Sequence, residues 1–250
     1  MSATRLDPRT TRRQAAARRV RDLMRSAIIH KEIEAGVLPS ETELMLSFST
    51  SRQVIRDALH LLRAEGLVQR IPGNGTFVSA SKVDHPVDHL HGPATSRRVS
   101  HRILDVTTDV AAPRVADRLG LAAGDRCAIV DYVAAIDDEP YYVCTAYVPV
   151  PLTAIVEQAP LVDEWYSVYE RAGIQMGISD IHIEATLADE FAASHLGVET
   201  GAPILLFERL LRDQNGNPLE YAFNRVRGDR ITLQIKQPRR RRRPEPEGKA

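Results

Sequence analysis

Apolar residues recur every three or four positions near the start of the chain, which indicates helices. From Gln14 to about Lys31 this spacing predicts an amphipathic helix. Ser40 and Glu43 form a capping box, in which each side chain covers the other residue's free backbone N–H, and it predicts a short second helix to about Phe48. The apolar positions of the first helix are Val20, Leu23, Met24, Ala27 and Ile28.

A third helix is predicted from Arg52 to Ala64, with Ser51 as its N-cap and Gly66 closing it. The pattern then changes to alternation in Leu67–Ile71 and in Thr76–Ser79. Pro72, Gly73, Asn74 and Gly75 lie between these segments, and Asn-Gly tolerates the positive φ of a hairpin turn. Three helices and a hairpin over residues 14–79 predict a winged helix-turn-helix. The alternative is a small α+β domain with no nucleic-acid role.

Residues 97–237 alternate between strand-like and helix-like segments. The turn at Asp213–Asn217 and the scarcity of crossover helices favour an antiparallel sheet. The fold class predicted for the whole chain is therefore α+β, with the winged helix-turn-helix followed by a mixed α/β domain built on a mainly antiparallel sheet. The predicted strands are Ser100–Val106, Arg126–Ala135, Tyr141–Val148, Ile178–Thr186, Ile204–Asp213 and Leu219–Val226, and the predicted helices are Ala112–Leu119, Leu152–Glu157, Glu164–Ala172 and Asp189–His195.

Two further segments are predicted to lie outside both domains. Residues 80–96 are polar, with two prolines and one glycine, and are predicted to be a linker; residues 238–250 contain five consecutive arginines and are predicted to be a disordered basic tail. The linker carries potential metal ligands, but Pro86 interrupts helical spacing and nothing else completes a set. A solvated hinge without metal is the preferred interpretation. The potential ligands are Asp84, His85, Asp88, His89 and His91.

Charge divides the chain in the same places. Residues 1–82 hold 14 Lys and Arg against 8 Asp and Glu, whereas residues 83–237 hold 13 against 23. A basic N-terminal third suits a polyanionic partner. We expect a cytoplasmic protein with reduced cysteines, because Cys127 and Cys144 form no CxxC motif and no apolar segment suggests a signal peptide or a membrane span. No cofactor is expected.

The N-terminal motifs resemble the DNA-binding domain of the GntR family. They occur in the family's order and spacing over most of residues 15–79. The resemblance implies that the third helix enters the major groove of operator DNA and that the wing reaches the minor groove. The matching motifs are Leu38-Pro39-Ser40-Glu41, Ser51-Arg52, Val54, Arg56, Ala58-Leu59, Leu62, Glu65-Gly66-Leu67-Val68, Gly73, and Gly75-Thr76-Phe77-Val78.

The implied DNA contacts follow from helix geometry and side-chain chemistry. Arginine is suited to guanine and glutamine to adenine, and Ser51 can donate to a phosphate while it caps the helix. Arg56 has an alternative role in a surface salt bridge with a nearby carboxylate. The predicted DNA-binding residues are Thr42, Ser51, Arg52, Gln53, Arg56, Gly73, Asn74 and Gly75.

Residues 97–237 resemble UTRA, the ligand-sensing domain of the HutC-like branch of that family, which implies a chorismate-lyase-like fold. Individually the motifs are weak, but they occur together and in order. They include Leu119-Gly120-Leu121, Asp138-Glu139-Pro140, Tyr147-Val148-Pro149, Ser167-Val168-Tyr169, Leu196-Gly197-Val198, Gly201-Ala202-Pro203, Gly216-Asn217-Pro218-Leu219-Glu220-Tyr221 and Arg227-Gly228-Asp229-Arg230.

The resemblance also indicates how the effector pocket differs. Sugar-phosphate sensors of this branch carry two arginines and a glutamate at the positions of Tyr132, Ala134 and Cys144 in this sequence. Without fixed positive charge a phosphate is poorly held, so we expect a more aromatic, less charged pocket. For Tyr132, simple packing within the sheet is an equal alternative. The predicted effector-binding residues are Tyr132, Cys144, Ser167, Tyr169, Glu220 and Asn224.

We therefore expect a homodimeric DNA-binding transcriptional regulator, a repressor that a small molecule releases from its operator. An enzyme is the main rival class because of the chorismate-lyase-like fold, but no nucleophile–base pair stands out and fold alone confers no chemistry. A DNA-architectural protein with a ligand-free C-terminal domain is a third possibility, and thermal stabilisation by a ligand would separate it from a sensor.

Overall fold

The computed structural model describes residues 8–30, 32–33, 36–79, 82–86, 97–157, 161–162 and 165–235. The N-terminal domain consists of helices α1 (Pro8–Ile29), α2 (Glu41–Ser47) and α3 (Arg52–Ala64), followed by strands β1 (Val68–Ile71) and β2 (Gly75–Val78). The predicted winged helix-turn-helix is thus confirmed, and α3 has the predicted bounds.

The three helices enclose one apolar core. From Ala17 on, every third or fourth residue of α1 is buried, and the inner face of α3 packs against it. The predicted capping box of α2 is present: the Glu43 backbone N–H donates to the Ser40 hydroxyl at 3.3 Å, and the Ser40 N–H donates to the Glu43 carboxylate at 2.7 Å. The buried members from these helices are Ala17, Val20, Met24, Ile28, Leu44, Val54, Ile55, Ala58, Leu59 and Leu62.

The first helix is longer than predicted. It begins at Pro8 rather than near Gln14, because proline at the first position has no N–H to leave unpaired and its fixed φ suits a helix. Residues 8–13, which the apolar spacing left outside the predicted helix, therefore belong to it. Arg13 lies on the helix, with its Nε 3.1 Å from a carboxylate oxygen of Asp57 in α3. Arg5 lies outside the described residues.

The hairpin turn of the wing forms at the predicted residues, but its positive φ values are distributed differently. Positive φ falls on Gly73 (81°) and Gly75 (109°) and not on Asn74. Glycine has no Cβ to oppose these values, so two glycines carry the conformation for which the Asn-Gly pair was expected. The Leu38 N–H also donates to the Thr76 carbonyl at 2.7 Å, which fixes the wing to the segment before α2.

The C-terminal domain is built on a seven-stranded antiparallel sheet in the order β7-β4-β5-β6-β10-β9-β8. The mainly antiparallel sheet was predicted, whereas β7 was missed, as was β11, which lies outside this sheet. The strands are β4 (Val99–Val110), β5 (Arg126–Ile136), β6 (Glu139–Pro149), β7 (Leu161–Val162), β8 (Met176–Leu187), β9 (Pro203–Asp213), β10 (Pro218–Val226) and β11 (Ile231–Gln234); the helices are α4 (Pro113–Leu119), α5 (Val150–Glu157), α6 (Ser167–Arg171) and α7 (Glu190–Leu196).

The sheet contains an internal duplication that the sequence analysis did not identify. Strand, short helix, strand, strand occurs as β4-α4-β5-β6 and again as β8-α7-β9-β10, and the two units meet at β6 and β10. Both helices end at a left-handed glycine, Gly120 and Gly197. The Ala111 N–H donates to the Asp125 carbonyl and the Ala188 N–H to the Ala202 carbonyl, each at 2.8 Å. An offset of 77 residues relates all three features, and it pairs Tyr132 with Arg209.

Helices cover both faces of this sheet. Helices α4 and α7 pack on one face, against Leu210 and Val143 respectively. Helices α5 and α6 and residues 165–166 pack on the other face, which carries Tyr132 and Cys144. We call this second side the effector face, because it carries residues predicted to bind the effector. Because both faces are covered, polar groups on the central strands are withdrawn from water.

Part of the predicted linker is a strand. β3 (Val83–Pro86) pairs in parallel with β11, with Val83 opposite Ile231 and His85 opposite Leu233. The Val83 N–H donates to the Arg230 carbonyl at 2.9 Å, and Lys82 Nζ donates to the Gly228 carbonyl at 2.6 Å. The interpretation of residues 80–96 as a plain hinge is therefore wrong for 83–86, which belong to the C-terminal domain. Asp88, His89 and His91 lie outside the described residues.

Candidate functional site

The first candidate site is the N-terminal end of α3. Val54, Ile55 and Ala58 face the core, so helical periodicity turns Arg52, Gln53 and Arg56 toward solvent. Thr42 on α2 is also exposed. Four predicted DNA-contacting side chains of the helix-turn-helix are thus exposed, as readout of the major groove requires.

Intramolecular contacts hold some of these side chains in the free protein. Arg56 Nε lies 3.1 Å from a Glu41 carboxylate oxygen, so the salt bridge weighed as its alternative role is present. Gln53 donates to Asp57 at 2.8 Å. Exposed pairs of this kind contribute about 0–1 kcal/mol, which phosphate or base contacts can replace. Ser51 occupies the N-cap position as predicted, but its side chain makes no capping hydrogen bond.

The wing supplies the remaining predicted DNA-binding residues. Gly73, Asn74 and Gly75 are exposed at the tip of the β1–β2 hairpin, where the Asn74 N–H donates to the Ile71 carbonyl at 3.0 Å. Glycines at a tip let the backbone approach a groove closely. The wing and α3 are therefore two exposed elements of one small domain.

The second candidate site lies on the effector face. Strand register places Tyr132, Cys144, Asn224 and Phe207 side by side across β5, β6, β10 and β9. Tyr132 and Cys144 are fully buried and Asn224 nearly so. The Asn224 amide donates to the Phe207 carbonyl at 3.4 Å. Three of the six predicted effector-binding residues are thus brought together by the sheet alone.

Glu220 is the polar centre of this site. Its side chain is completely buried, and one carboxylate oxygen accepts from the Trp165 indole N–H at 2.6 Å and from the Tyr169 hydroxyl at 3.0 Å. The other oxygen accepts from the Arg209 guanidinium. Three donors therefore compensate a charge that would be very unfavourable alone in the interior.

Arg209 is a charged residue of this candidate site that was not predicted from the sequence. It is 8% exposed, and its guanidinium also donates to the Tyr166 hydroxyl at 2.7 Å. The expectation of a less charged site is therefore only partly right. The arginine position on β5 is occupied by Tyr132, but Arg209 on β9 places a guanidinium in the site. The repeat offset could have revealed it, since Arg209 is the counterpart of Tyr132 in the second unit. Its charge is neutralised by Glu220.

Aromatic rings close the site over these polar groups, and the sequence analysis singled out only two of them. The Trp165 indole stacks on the Tyr132 ring, with centroids 3.8 Å apart and planes inclined by 13°. His101 Nε2 lies 2.9 Å from the Tyr142 hydroxyl at the border of the cluster. The expectation of an aromatic site agrees with these contacts.

The remaining predicted residues occupy different positions. Tyr169 is fully buried against Glu220, whereas Ser167 is the first residue of α6 and is partly exposed. Burial raises the pKa of the Tyr132 and Tyr169 hydroxyls and of the Cys144 thiol. All three groups are therefore neutral at physiological pH, and a protonated thiol is a poor nucleophile.

The linker strand reaches the edge of this site. The ring of His85 on β3 lies 6.3 Å from the ring of Phe207, which is two residues from Arg209 on β9. Burial, and secondarily the charge of Arg209, lowers the pKa of His85 to about 4. Val83 and Phe207 belong to one buried cluster with Ala134, and Tyr142 packs against both that cluster and the one around Glu220. The linker and the site thus share packed side chains.

Two known families match the chain in turn. Residues 16–78 match the bacterial regulatory proteins of the gntR family, and residues 94–232 match the UTRA domain. The chain belongs to the gntR family of bacterial regulatory proteins and carries a UTRA domain. It is therefore a DNA-binding transcriptional regulator with an effector-binding domain, as the resemblance implied.

Relatives of this gntR-family chain extend over most of its length. The HTH-type transcriptional repressor NagR of Bacillus subtilis is 28% identical over 226 residues, covering 86% of this chain and 91% of NagR. The probable fructoselysine utilization operon transcriptional repressor of Escherichia coli K12 is 26% identical over 212 residues, covering 79% of this chain and 84% of the relative.

Solved structures of gntR-family regulators share the fold. PhnF from Mycobacterium smegmatis superimposes with a TM-score of 0.61 at 22% identity, covering 88% of this chain and all of PhnF. The possible regulator YydK from Bacillus subtilis gives 0.52 at 20% identity, covering 89% and 99%. Over the described residues, no helix has the length and apolarity of a membrane span and no group of three or more potential metal ligands is present.

Proposed function

We propose that this protein is a homodimeric repressor that binds a two-fold operator in the cytoplasm and is released by a small molecule bound on the effector face. The exposed N-terminal end of α3, in the same domain as the exposed wing, is the observation that carries the DNA-binding part. The buried Glu220–Arg209 pair beneath aromatic rings supports the sensing part, because buried charges of this kind mark functional sites.

In this proposal Arg52 and Arg56 read guanines and Gln53 reads an adenine in the major groove. Thr42 and Ser51 contact phosphates, and Gly73, Asn74 and Gly75 approach the minor groove. The salt bridge to Glu41 and the hydrogen bond to Asp57 are exchanged for DNA contacts. This exchange is feasible because both are exposed interactions of small net energy.

Dimerisation is supported by the outer edge of the sheet. β8 is an edge strand of the seven-stranded sheet over the described residues, and Ile178 and Leu187 on it are 70% and 66% exposed. A long edge with exposed apolar side chains favours pairing with another chain. A second copy of this chain gives the two-fold symmetry that operators mirror.

The effector we propose is a small, partly apolar or aromatic metabolite that binds at Tyr132, Cys144, Tyr169, Glu220 and Asn224, and not a sugar phosphate. Arg209 is the one guanidinium within hydrogen-bonding distance of Glu220 among the described residues, and that carboxylate already neutralises it. A phosphate dianion would have to compete with Glu220 for the same cation. The side chains around the pair are mostly aromatic or aliphatic, which suits a flat apolar ligand.

Coupling to DNA is proposed to run through β3. His85 touches Phe207 beside Arg209, so a ligand that shifts the Arg209–Glu220 pair also shifts the packing of the linker strand. Effector binding can weaken operator binding only as far as the ligand prefers the DNA-free arrangement. A hundredfold release needs about 2.7 kcal/mol of coupling free energy.

DNase footprinting on the region upstream of the protein's own gene tests the DNA-binding part. We expect two protected half-sites one helical turn apart. A metabolite panel containing hexosamine phosphates and aromatic or carboxylic acids, screened by calorimetry, tests the sensing part. Absence of protection on this region and on sites selected from random DNA would refute the first part, and micromolar binding of a sugar phosphate would refute the proposed effector class.

A further inference from the structure

Trp165 has the contacts of a bound ligand. It is the only tryptophan in the chain, it is 2% exposed, and it comes from the connection before α6 and not from the sheet. Its ring stacks on Tyr132, and its N–H donates to the buried Glu220 carboxylate. A flat ring held by one stacking contact and one polar anchor is the usual way in which a pocket holds an aromatic molecule.

Three small side chains of the sheet, which we call the recess, belong to the same buried cluster as the indole. Cys144, Ala146 and Ala222 are adjacent on β6 and β10, and all are fully buried in the cluster that contains Trp165. Small side chains at the junction of the two repeats leave space that the larger rings of the neighbouring connection fill. The recess therefore belongs to the sheet, whereas the group that fills it is supplied by a separate segment.

The protein's own side chains leave two polar groups of the site incompletely satisfied. The Tyr132 hydroxyl is fully buried, with only the weakly hydrogen-bonding Cys144 thiol beside it, and Arg209 Nε is also buried without a partner among the described residues. A buried polar group without a good partner is unfavourable, so the site is incompletely complemented by the protein's own side chains. A ligand ring with a polar substituent can pair with the Tyr132 hydroxyl and so bind better than the indole.

We propose that Trp165 plugs the effector site in the free protein, an inference that rests on the proposed function. The effector is then a planar ring compound with an N–H donor. It displaces the indole, stacks on Tyr132 and donates to Glu220. Tyr166 follows Trp165 in the chain, and its hydroxyl accepts a hydrogen bond from Arg209 on β9. Displacing the indole therefore also disturbs Arg209, and with it the strand whose Phe207 packs against His85 of β3. Ligand binding and linker movement are thus joined in one event.

A side chain that plugs the site and a side chain that only forms its wall have opposite effects on ligand affinity when they are removed. An internal occupant competes with the ligand at high effective concentration, so the ligand's apparent affinity is reduced by the fraction of time the site is open. Removing the indole should therefore tighten ligand binding. If Trp165 were only a wall, its removal would weaken binding by loss of contacts.

The test uses indole as probe and benzofuran, of the same shape but without the N–H, as matched control. In Trp165→Ala, calorimetry should give binding of indole at least about tenfold tighter than in the wild type, and about tenfold tighter than that of benzofuran, since a hydrogen bond to a charged group is among the stronger ones. Trp165→Phe, which keeps a ring in the recess, serves if the alanine variant does not fold, and should bind indole more tightly than the wild type.

Displacement is observed directly in the ¹⁵N-labelled wild type, whose single tryptophan gives one indole N–H resonance. Saturating unlabelled indole should move that resonance to the position of an exposed side chain. A resonance that stays in place, equal binding of indole and benzofuran, or no gain in affinity in either variant would overturn the proposal. Operator footprinting without ligand is independent of the plug, so failure here and failure of the proposed function are distinguishable.

Discussion

Replacing Glu220 by glutamine should destabilise the C-terminal domain although the two side chains have nearly the same shape. The carboxylate accepts from donors on both of its oxygens, whereas an amide accepts on one side only. If the amide oxygen faces Arg209, its NH₂ group meets the donors of Trp165 and Tyr169. If it faces Trp165 and Tyr169, the NH₂ group meets the guanidinium.

Both orientations leave the buried Arg209 cation without a counter-charge. Breaking a buried ion pair in this way costs about 3–5 kcal/mol. A domain of this size loses about 2–4 °C in Tm per kcal/mol, so we expect the Tm of Glu220→Gln to fall by about 10 °C. Differential scanning calorimetry on the full-length protein measures this.

Glu208→Gln is the matched control. Glu208 neighbours Arg209 in sequence but lies on the other face of the sheet, where it is partly exposed and accepts from the Tyr221 hydroxyl at 2.8 Å. Its replacement should cost less than about 1 kcal/mol. The double variant Arg209→Met with Glu220→Leu should lose less than Glu220→Gln alone, because no unpaired charge remains. A Glu220→Gln protein within 1 kcal/mol of the wild type, or a double variant as unstable as the sum of its single changes, would refute this reasoning.

Three further predictions concern DNA binding and the linker. Arg52→Ala and Arg56→Ala should each cost about 1–3 kcal/mol of preference for the operator in competition gel shifts, with Arg126→Ala on the C-terminal domain as the control; no loss in either would exclude base readout by these residues. Arg13→Ala should lower the slope of log affinity against log salt by about one unit without changing site preference, and an unchanged slope would mean that this part of α1 stays away from the phosphates. The pKa of His85 is lowered to about 4 in the folded protein, so between pH 6.5 and about 4 the unfolded chain binds a proton that the folded protein does not. The free energy of unfolding is therefore unaffected by His85 above pH 6.5 and should fall by roughly 3 kcal/mol between pH 6.5 and about 4. Urea denaturation should show this decline in the wild type and a smaller one in His85→Gln, and parallel curves would contradict the assigned burial.

Local signals in the sequence were sufficient for the N-terminal domain. The capping box at Ser40 and Glu43 and the spacing of apolar residues in α3 depend on neighbours within one or two helical turns, and both correspond to the observed helices. The start of α1 was misjudged because arginine-rich residues have no apolar periodicity, although they form helix readily.

Long-range pairing explains what the sequence analysis missed. β3 and β11 are four residues each and are joined in parallel across most of the C-terminal domain, so neither shows a hairpin signal. In the sequence, Arg209 is a single charged residue within an apolar strand. Only the strand register shows that it lies next to Glu220 and Tyr166. Trp165 is similarly uninformative alone, because its role depends on which ring it meets.

The anchoring of β3 limits how far the DNA-binding domain can move. Ser79 still belongs to that domain through its N–H bond to the Leu67 carbonyl, and Val83 is already bonded to Arg230. Only four peptide steps separate them, which span about 14 Å at full extension. In a dimer, the two recognition helices must meet half-sites about 34 Å apart, so the positions where the two β3 strands begin set the operator spacing that the protein can accept. A connection of this length limits the distance between Ser79 and Val83, so a displacement of β3 larger than that limit must also move the wing.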